Sequence, residues 1–129
     1  MTKNDWEHLQ PLRIPGGWTV VFNKLKNLEP KELAEQDKRW IFSFTENILY
    51  MYTILSRKRN SKVEQQKLAI DLGWYPDGDP YGKFRLLAIL DDNWEQPLLE
   101  FSSQSKEAVV RMIEQWLFQE LCPCNLRFL

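Results

Sequence analysis

Two apolar runs joined by a segment of turn-forming residues constrain the fold of this chain more than any other feature. In the first run the apolar side chains recur at every second position, as in a β-strand: Leu68, Ile70, Leu72 and Trp74. Residues 76–82 contain two prolines, two glycines and two aspartates, which fix or permit the dihedral angles of turns. Residues 83–90 are again largely apolar. The pattern predicts a β-hairpin with a seven-residue loop.

The region before this hairpin predicts a strand and a helix. Apolar side chains alternate after a Pro-Gly-Gly turn and indicate a first strand: Trp18, Val20 and Phe22. Residues 31–56 begin with strong helix formers and continue with apolar side chains at every fourth position: Trp40, Phe44, Ile48 and Tyr52. This spacing predicts a long or broken helix, with a strand through 40–44 as the alternative, because aromatic residues also alternate there. Residues 57–62 are predicted to be a polar connection.

The region after the hairpin predicts a short strand and a final helix. Residues 97–101 are predicted to form an edge strand, because a proline at its start fits a sheet edge. Ser102, Ser103 or Ser105 is positioned to cap the helix. Apolar side chains at helical spacing form one stripe, and Pro123 ends it: Val109, Met112, Ile113, Trp116, Leu117 and Leu121.

The predicted order is strand, helix, three strands, helix. It indicates an α+β domain in which an antiparallel sheet of about four strands carries helices packed on one face. The 129 residues, 43% of them hydrophobic, suit a single domain spanning 1–129, with an N-terminal flap at 1–11 and a tail at 122–129.

The N-terminus and the cysteines bear on the compartment. Residues 1–8 carry charged and polar groups where a secretory signal needs an apolar stretch, and about 18 consecutive apolar residues occur nowhere. We therefore expect a cytoplasmic protein with no membrane span. Cys122 and Cys124 are too close for an unstrained disulfide between them and too few for a zinc site, so we expect no cofactor and no metal. His8 is the one histidine, which makes a Ser-His-Asp or Cys-His catalytic arrangement a poor fit.

The region from Asp71 to Glu100 carries the clearest functional signal. It contains seven carboxylates against two cations, interspersed with tyrosine and tryptophan. Aromatic rings anchor protein interfaces, and carboxylates steer the approach of a basic partner. We therefore predict a protein-binding surface formed by seven residues: Tyr75, Asp77, Asp79, Tyr81, Asp91, Asp92 and Trp94.

Three alternatives accompany this prediction. Asp71, Asp77 and Asp79 would serve a metal-assisted hydrolase, although aspartates are also ordinary turn residues and the run lacks the ligand spacing of a calcium loop. Residues 57–67 carry five cations and one carboxylate and would contact nucleic acid, but the run lacks interleaved aromatics, so a solvated loop is the favoured interpretation. The apolar edge at 98–101 would pair with a second copy in a homo-oligomer.

Several segments resemble a group of small single-domain proteins found in bacilli and their relatives. The resemblance runs from residue 12 to about 118 and rests on residues 12–23, residues 72–76 with Asp79, Pro80 and Gly82, Trp94, and Trp116-Leu117. It brings no activity or catalytic residues with it. Such proteins are similar in size and character to the immunity proteins of polymorphic toxin systems. By that analogy we expect a non-enzymatic protein that masks a basic toxin domain.

Overall fold

The computed structural model describes residues 8–122, apart from the side chains of Arg57 and Arg59. Within this range the chain forms an α+β fold with a five-stranded antiparallel sheet and two helices. The strands are β1 (Thr19–Asn23), β2 (Leu49–Arg59), β3 (Lys62–Tyr75), β4 (Lys83–Leu90) and β5 (Leu99–Ser103). The helices are α1 (Trp40–Ser43) and α2 (Lys106–Gln115), with a 3₁₀ turn at Pro30–Glu32 and a π-helical turn at Trp116–Glu120 that continues α2.

The strands follow one another across the sheet in chain order, β1-β2-β3-β4-β5, and every neighbouring pair is antiparallel. The hairpin of β3 and β4 with its loop at 76–82 is confirmed. The strand after it also exists and occupies an edge of the sheet, shifted to Leu99–Ser103. The sheet thus has one strand more than expected.

The prediction of a helix over 31–56 is wrong. Only the 3₁₀ turn and α1 are helical there, and residues 49–56 belong to β2. The alternative of a strand through 40–44 is also wrong, because Trp40–Ser43 form α1. The fourfold spacing misled because it runs through three different elements. Trp40 lies in α1, Ile48 precedes β2 and is buried in the main core, and Tyr52 lies on β2 and packs in a separate cluster.

The prediction of a polar connection over 57–62 is also wrong. β2 runs to Arg59 and β3 starts at Lys62, so only Asn60 and Ser61 lie between the strands. Their φ values are 51° and 63°, the positive values that a two-residue hairpin turn of type I′ requires. The cations of this segment therefore lie mostly on strands and not on a loop.

The two faces of the sheet differ in what covers them. The main core lies on the face that we call the helix face, where α2, its π-helical extension and the 25–44 segment supply buried residues including Val109, Ile113, Trp116, Leu33 and Trp40. On the opposite face, here called the open face, Ala69, Leu87 and Ile89 are buried and pack with Tyr50 and Tyr52. The buried cluster of the open face includes no helical residue among 8–122.

The N-terminus of α2 is capped from two directions. The Ser105 hydroxyl accepts a hydrogen bond from Ala108 N at 3.1 Å, as one of the three predicted caps. The Glu29 carboxylate accepts from Lys106 N at 2.8 Å and Glu107 N at 3.0 Å. These bonds satisfy backbone donors that a helix leaves unpaired at its start.

Loss of the Ser105 cap is expected to destabilise the fold modestly. In Ser105→Ala the Ala108 amide loses its acceptor, and we expect the free energy of unfolding to fall by about 1 kcal/mol. Urea denaturation measures this change. The matched control is Ser102→Ala on exposed β5, which removes a hydroxyl that caps nothing; equal losses in the two variants would contradict the capping role.

Parts of the predicted flap and tail, residues 1–7 and 123–129 with Cys124, lie outside the described residues. Within the described part of the flap, Leu9 forms an isolated antiparallel bridge with Lys26, and Gln10 N donates to Leu25 O at 2.8 Å. Among residues 8–122, no helix has the length and apolar character that crossing a bilayer demands.

Candidate functional site

The seven predicted binding residues fall into three places. Tyr75 ends β3 and Asp77 follows it, while Asp79 and Tyr81 lie further along the same loop. Asp91, Asp92 and Trp94 come after β4. Because the ends of β4, Lys83 and Leu90, are seven residues apart at about 3.3 Å per residue, they are separated by roughly 23 Å. The predicted residues of the 76–82 loop and those that follow β4 therefore lie at opposite ends of the sheet.

A row of side chains crosses the open face and places a carboxylate at its centre. The register pairs residues of all five strands in succession: Phe22, Tyr50, Asp71, Leu87 and Glu100. Phe22 and Tyr50 stack with their ring centroids 6.3 Å apart. Asp71 is half-buried between Tyr50 and Leu87, and it accepts no hydrogen bond and forms no close ion pair within residues 8–122. Burial raises the pKa of Asp71 to about 6, and the opposing effect of the Arg85 charge is smaller.

Glycine at position 73 leaves space for a second backbone segment, residues 45–48, to pack against the open face. Trp74 N donates to Thr45 O at 2.8 Å and Ile48 N donates to Leu72 O at 3.0 Å, so residues 45–48 run beside the end of β3. A Cβ atom on Gly73 would lie 2.2 Å from the Glu46 carbonyl oxygen and 2.8 Å from Cε2 of Tyr75. The absence of a side chain thus allows the Glu46 backbone and the Tyr75 ring to pack against the strand.

The charges of three carboxylates act on the Tyr75 phenol. The Asp77 carboxylate accepts a hydrogen bond from Glu46 N at 2.9 Å, which fixes the two residues beside one another. Burial raises the pKa of Tyr75, and the negative charges of Asp71, Glu46 and Asp77 raise it further against the opposing charge of Arg85. We call Asp71, Glu46, Asp77, Tyr75 and Arg85 the Tyr75 cluster.

The Tyr75 cluster has an excess of negative charge. Its one cation, Arg85, donates from Nε to Glu100 Oε1 at 3.0 Å and is therefore shared with a fourth carboxylate. Lys83, opposite Tyr75 in the register, is the other cation of β4. Four carboxylates thus face two cations at this end of the open face. Such an arrangement attracts a cationic surface, and the half-buried tyrosines offer it apolar contact area.

The other side of the 76–82 loop packs toward the helix face. The Asp79 carboxylate accepts from Tyr81 N at 2.8 Å, and its backbone oxygen accepts from Trp74 Nε1 at 2.8 Å. The Tyr81 hydroxyl donates to the Glu35 carboxylate. Trp74, Tyr81 and Glu35 border a pocket of about 180 Å³ that is also lined by Trp40 and Pro30. The volume is below the roughly 300 Å³ at which small-molecule sites begin.

The distant group of predicted residues has a structural role. Asp91 accepts from Lys67 N at 2.8 Å, and Asp92 forms an ion pair with Lys67 Nζ at 2.7 Å. Both aspartates have positive φ values, 49° and 58°, and shape the turn after β4. Trp94 is 46% exposed nearby. These contacts hold the β4–β5 connection against β3. Asp91, Asp92 and Trp94 therefore do not belong to the Tyr75 cluster.

Of the three aspartates of the hydrolase alternative, Asp71 and Asp77 belong to the Tyr75 cluster, whereas Asp79 lies on the other side of the loop. Asp71 lies on β3 in the open face, Asp77 holds Glu46 N, and Asp79 holds Tyr81 N. No group of three or more His, Cys, Asp or Glu side chains in the described range 8–122 could hold a metal ion. Comparisons with protein-family models, with curated proteins and with solved structures find no match to this chain.

Sequence reasoning missed four residues that the fold places at or near this end of the sheet. Glu46 and Arg85 belong to the Tyr75 cluster. Ile41 and Phe42, 62% and 73% exposed, lie in α1, and the Ile41 side chain approaches Gly78 of the loop. The register of β3 with β4 is the signal that finds Arg85, because it lies beside Asp71's partner Leu87 on the same face.

Proposed function

We propose that this chain is a non-enzymatic binding protein of the immunity type, which docks a basic toxin domain on the open face of the sheet at the Tyr75 cluster. The observation that carries the proposal is the half-buried carboxylate of Asp71, which lacks a hydrogen-bonded partner within residues 8–122 and lies among tyrosines and further carboxylates. A half-buried charge without a partner costs free energy in the isolated protein. A cationic side chain of a partner would supply the missing interaction.

The tyrosines and the carboxylates of this surface have different roles in binding. Tyr75 and Tyr50 are half-buried and held by the sheet, so little side-chain entropy is lost when a partner covers them. Asp71, Glu46 and Asp77 would steer a basic surface toward these rings and pair with its cations. Inhibition then needs no chemical step, because a covered toxin surface cannot reach its substrate. The exposed side chains of α1 extend the contact area past the loop.

The test uses the protein encoded by the reading frame adjacent to this one, which the proposal expects to carry a toxin domain. We expect that domain to arrest growth when it is expressed alone and growth to recover on co-expression with this chain. Purified together, the two proteins should elute as one complex. A neighbouring product that is not toxic, or a toxic one that this chain neither binds nor neutralises, would overturn the proposal.

Charge removal at the Tyr75 cluster should weaken the complex strongly. In the triple variant E46Q/D71N/D77N we expect the Kd to rise about 100-fold, or about 2.7 kcal/mol, with a slower association rate at low salt. Titration calorimetry and stopped-flow association measure the two effects. In Asp77→Asn the side-chain amide oxygen still accepts from the backbone N–H of residue 46, so the loop is retained.

The matched control removes three charges beyond the opposite end of β4. We expect D91N/D92N/E95Q to change the Kd by less than threefold. Asp91 is bound to Lys67, which lies about 13 Å along β3 from Asp71 and about 26 Å from Tyr75, and both distances exceed a Debye length of about 8 Å. A larger effect from this control than from the cluster variant would place the docking surface elsewhere.

A further inference from the structure

The β2–β3 hairpin extends beyond the rest of the sheet. The pairing of β1 with β2 ends at Tyr52, and the pairing of β4 with β3 ends at Leu68, so residues beyond these pair only across the hairpin. Leu55 still packs on the main core and Lys67 is tied to Asp91. The remaining residues, 56–65, form a two-stranded projection that we call the arm.

The arm is basic in sequence, and its backbone register sets two cationic positions opposite one another. It contains Arg57, Lys58, Arg59 and Lys62 against Glu64. The register pairs Arg57 with Glu64, but it pairs Lys58 with Val63 and Arg59 with Lys62. Like charges directly opposite one another destabilise a sheet, and an isolated two-stranded hairpin is marginal in water. Val63 is 64% exposed and therefore contributes little buried apolar area to the arm. A polyanion bound to the arm would relieve this repulsion.

We propose that the arm binds double-stranded DNA through its phosphate backbone, with the ribbon in the major groove. This inference does not rest on the proposed function. Two strands spaced about 4.8 Å apart fit the major groove of B-DNA, which is about 12 Å wide and accepts a two-stranded β-ribbon. The major groove of A-form RNA is deep and narrow and excludes such a ribbon. The geometry thus selects duplex DNA over duplex RNA.

The acidic end of the molecule does not oppose this binding. Along β3, Lys62 and Tyr75 are thirteen residues apart, which corresponds to about 43 Å. The Debye length at physiological ionic strength is about 8 Å, so the carboxylates of the Tyr75 cluster are screened from phosphates at the arm. Asp92 lies closer but is paired with Lys67 at the base of the arm. Although the formal net charge of the chain is -1, the arm is therefore basic and the end that carries the Tyr75 cluster is acidic.

The experiment measures the fluorescence anisotropy of a labelled DNA duplex of about 20 base pairs titrated with the full chain. Three cations without an opposed carboxylate predict a slope of log K against log salt of about -2.7, or roughly a 40-fold loss of affinity between about 50 and 200 mM NaCl. In K58Q/K62Q we expect at least about a tenfold loss of affinity at the lower salt and a slope near about -1. In E64Q, which removes the carboxylate of the arm, binding should tighten.

Two controls separate the arm from general charge effects. K31Q/K38Q removes the same charge from exposed lysines outside the arm and should leave DNA binding within about twofold of the parent. Thermal melts of the variants check that all of them fold. Absence of binding at low salt, equal binding to duplex RNA, an equal loss in K31Q/K38Q, or binding to anionic phosphatidylserine vesicles without binding to DNA would each overturn the proposal.

Discussion

Replacement of Gly73 by alanine is expected to lower the free energy of unfolding by about 3 kcal/mol, the largest loss that we predict for a single methyl group. The added Cβ would lie 2.2 Å from the Glu46 carbonyl oxygen and 2.9 Å from the Glu46 carbonyl carbon. Both are backbone atoms, so a rotamer change cannot relieve the contact. The 45–48 segment would have to move away from β3 and lose the bonds to Trp74 N and Leu72 O.

Thermal and urea denaturation measure this loss, and Gly16→Ala is the matched control. A Cβ on Gly16 meets no atom within 4 Å, and its φ is not in the left-handed region, so we expect a change of less than about 0.5 kcal/mol. The Gly73 variant should melt roughly 10 °C lower than the parent. If the Gly73→Ala and Gly16→Ala proteins had the same melting temperature, the 45–48 segment would not pack closely on β3.

The parts of the fold that sequence reasoning found are those whose signal is local. The 76–82 loop carries its own turn chemistry, and the stripe of α2 repeats at helical spacing within one segment. The 24–39 region has no such period. It buries Leu25, Leu28 and Leu33 from irregular backbone, and the Trp40 indole donates to Ala34 O at 2.8 Å, so tertiary contacts determine its path. Propensity alone does not predict such a segment.

The site could be predicted only in part for the same reason. Tyr75 and Asp77 lie next to the predicted turn, and the sequence indicates their acidic and aromatic character. Glu46 joins them through a backbone segment that crosses beside β3, a contact that no sequence spacing shows. The sequence groups Asp77 with Asp91 because it counts charge along the chain, whereas the structure places the two aspartates at opposite ends of β4.

Substitution of Asp71 by asparagine is expected to stabilise the free protein at neutral pH while weakening the proposed complex. Its pKa in the folded state, about 6, lies above its ordinary value of 3.8. Folding therefore favours the protonated form, and the parent loses stability as the pH rises from about 4 through 6. An asparagine amide has no charge to bury. The pKa difference corresponds to about 3 kcal/mol, which solvent screening of the partly exposed carboxylate reduces to about 1–2 kcal/mol.

Urea denaturation of Asp71→Asn and the parent between about pH 2 and 8 tests this prediction. The difference in stability between the two proteins should be smallest near about pH 4, and the variant should gain its full advantage above about pH 6. Asp37→Asn is the control of opposite sign, because hydrogen bonds from Arg39 lower the pKa of Asp37 to about 2. That variant should be the less stable one at neutral pH, and its deficit should shrink as the pH falls from the ordinary value of 3.8 toward about 2. A stability difference between Asp71→Asn and the parent that does not change with pH would contradict the burial of an ionised carboxylate in the open face.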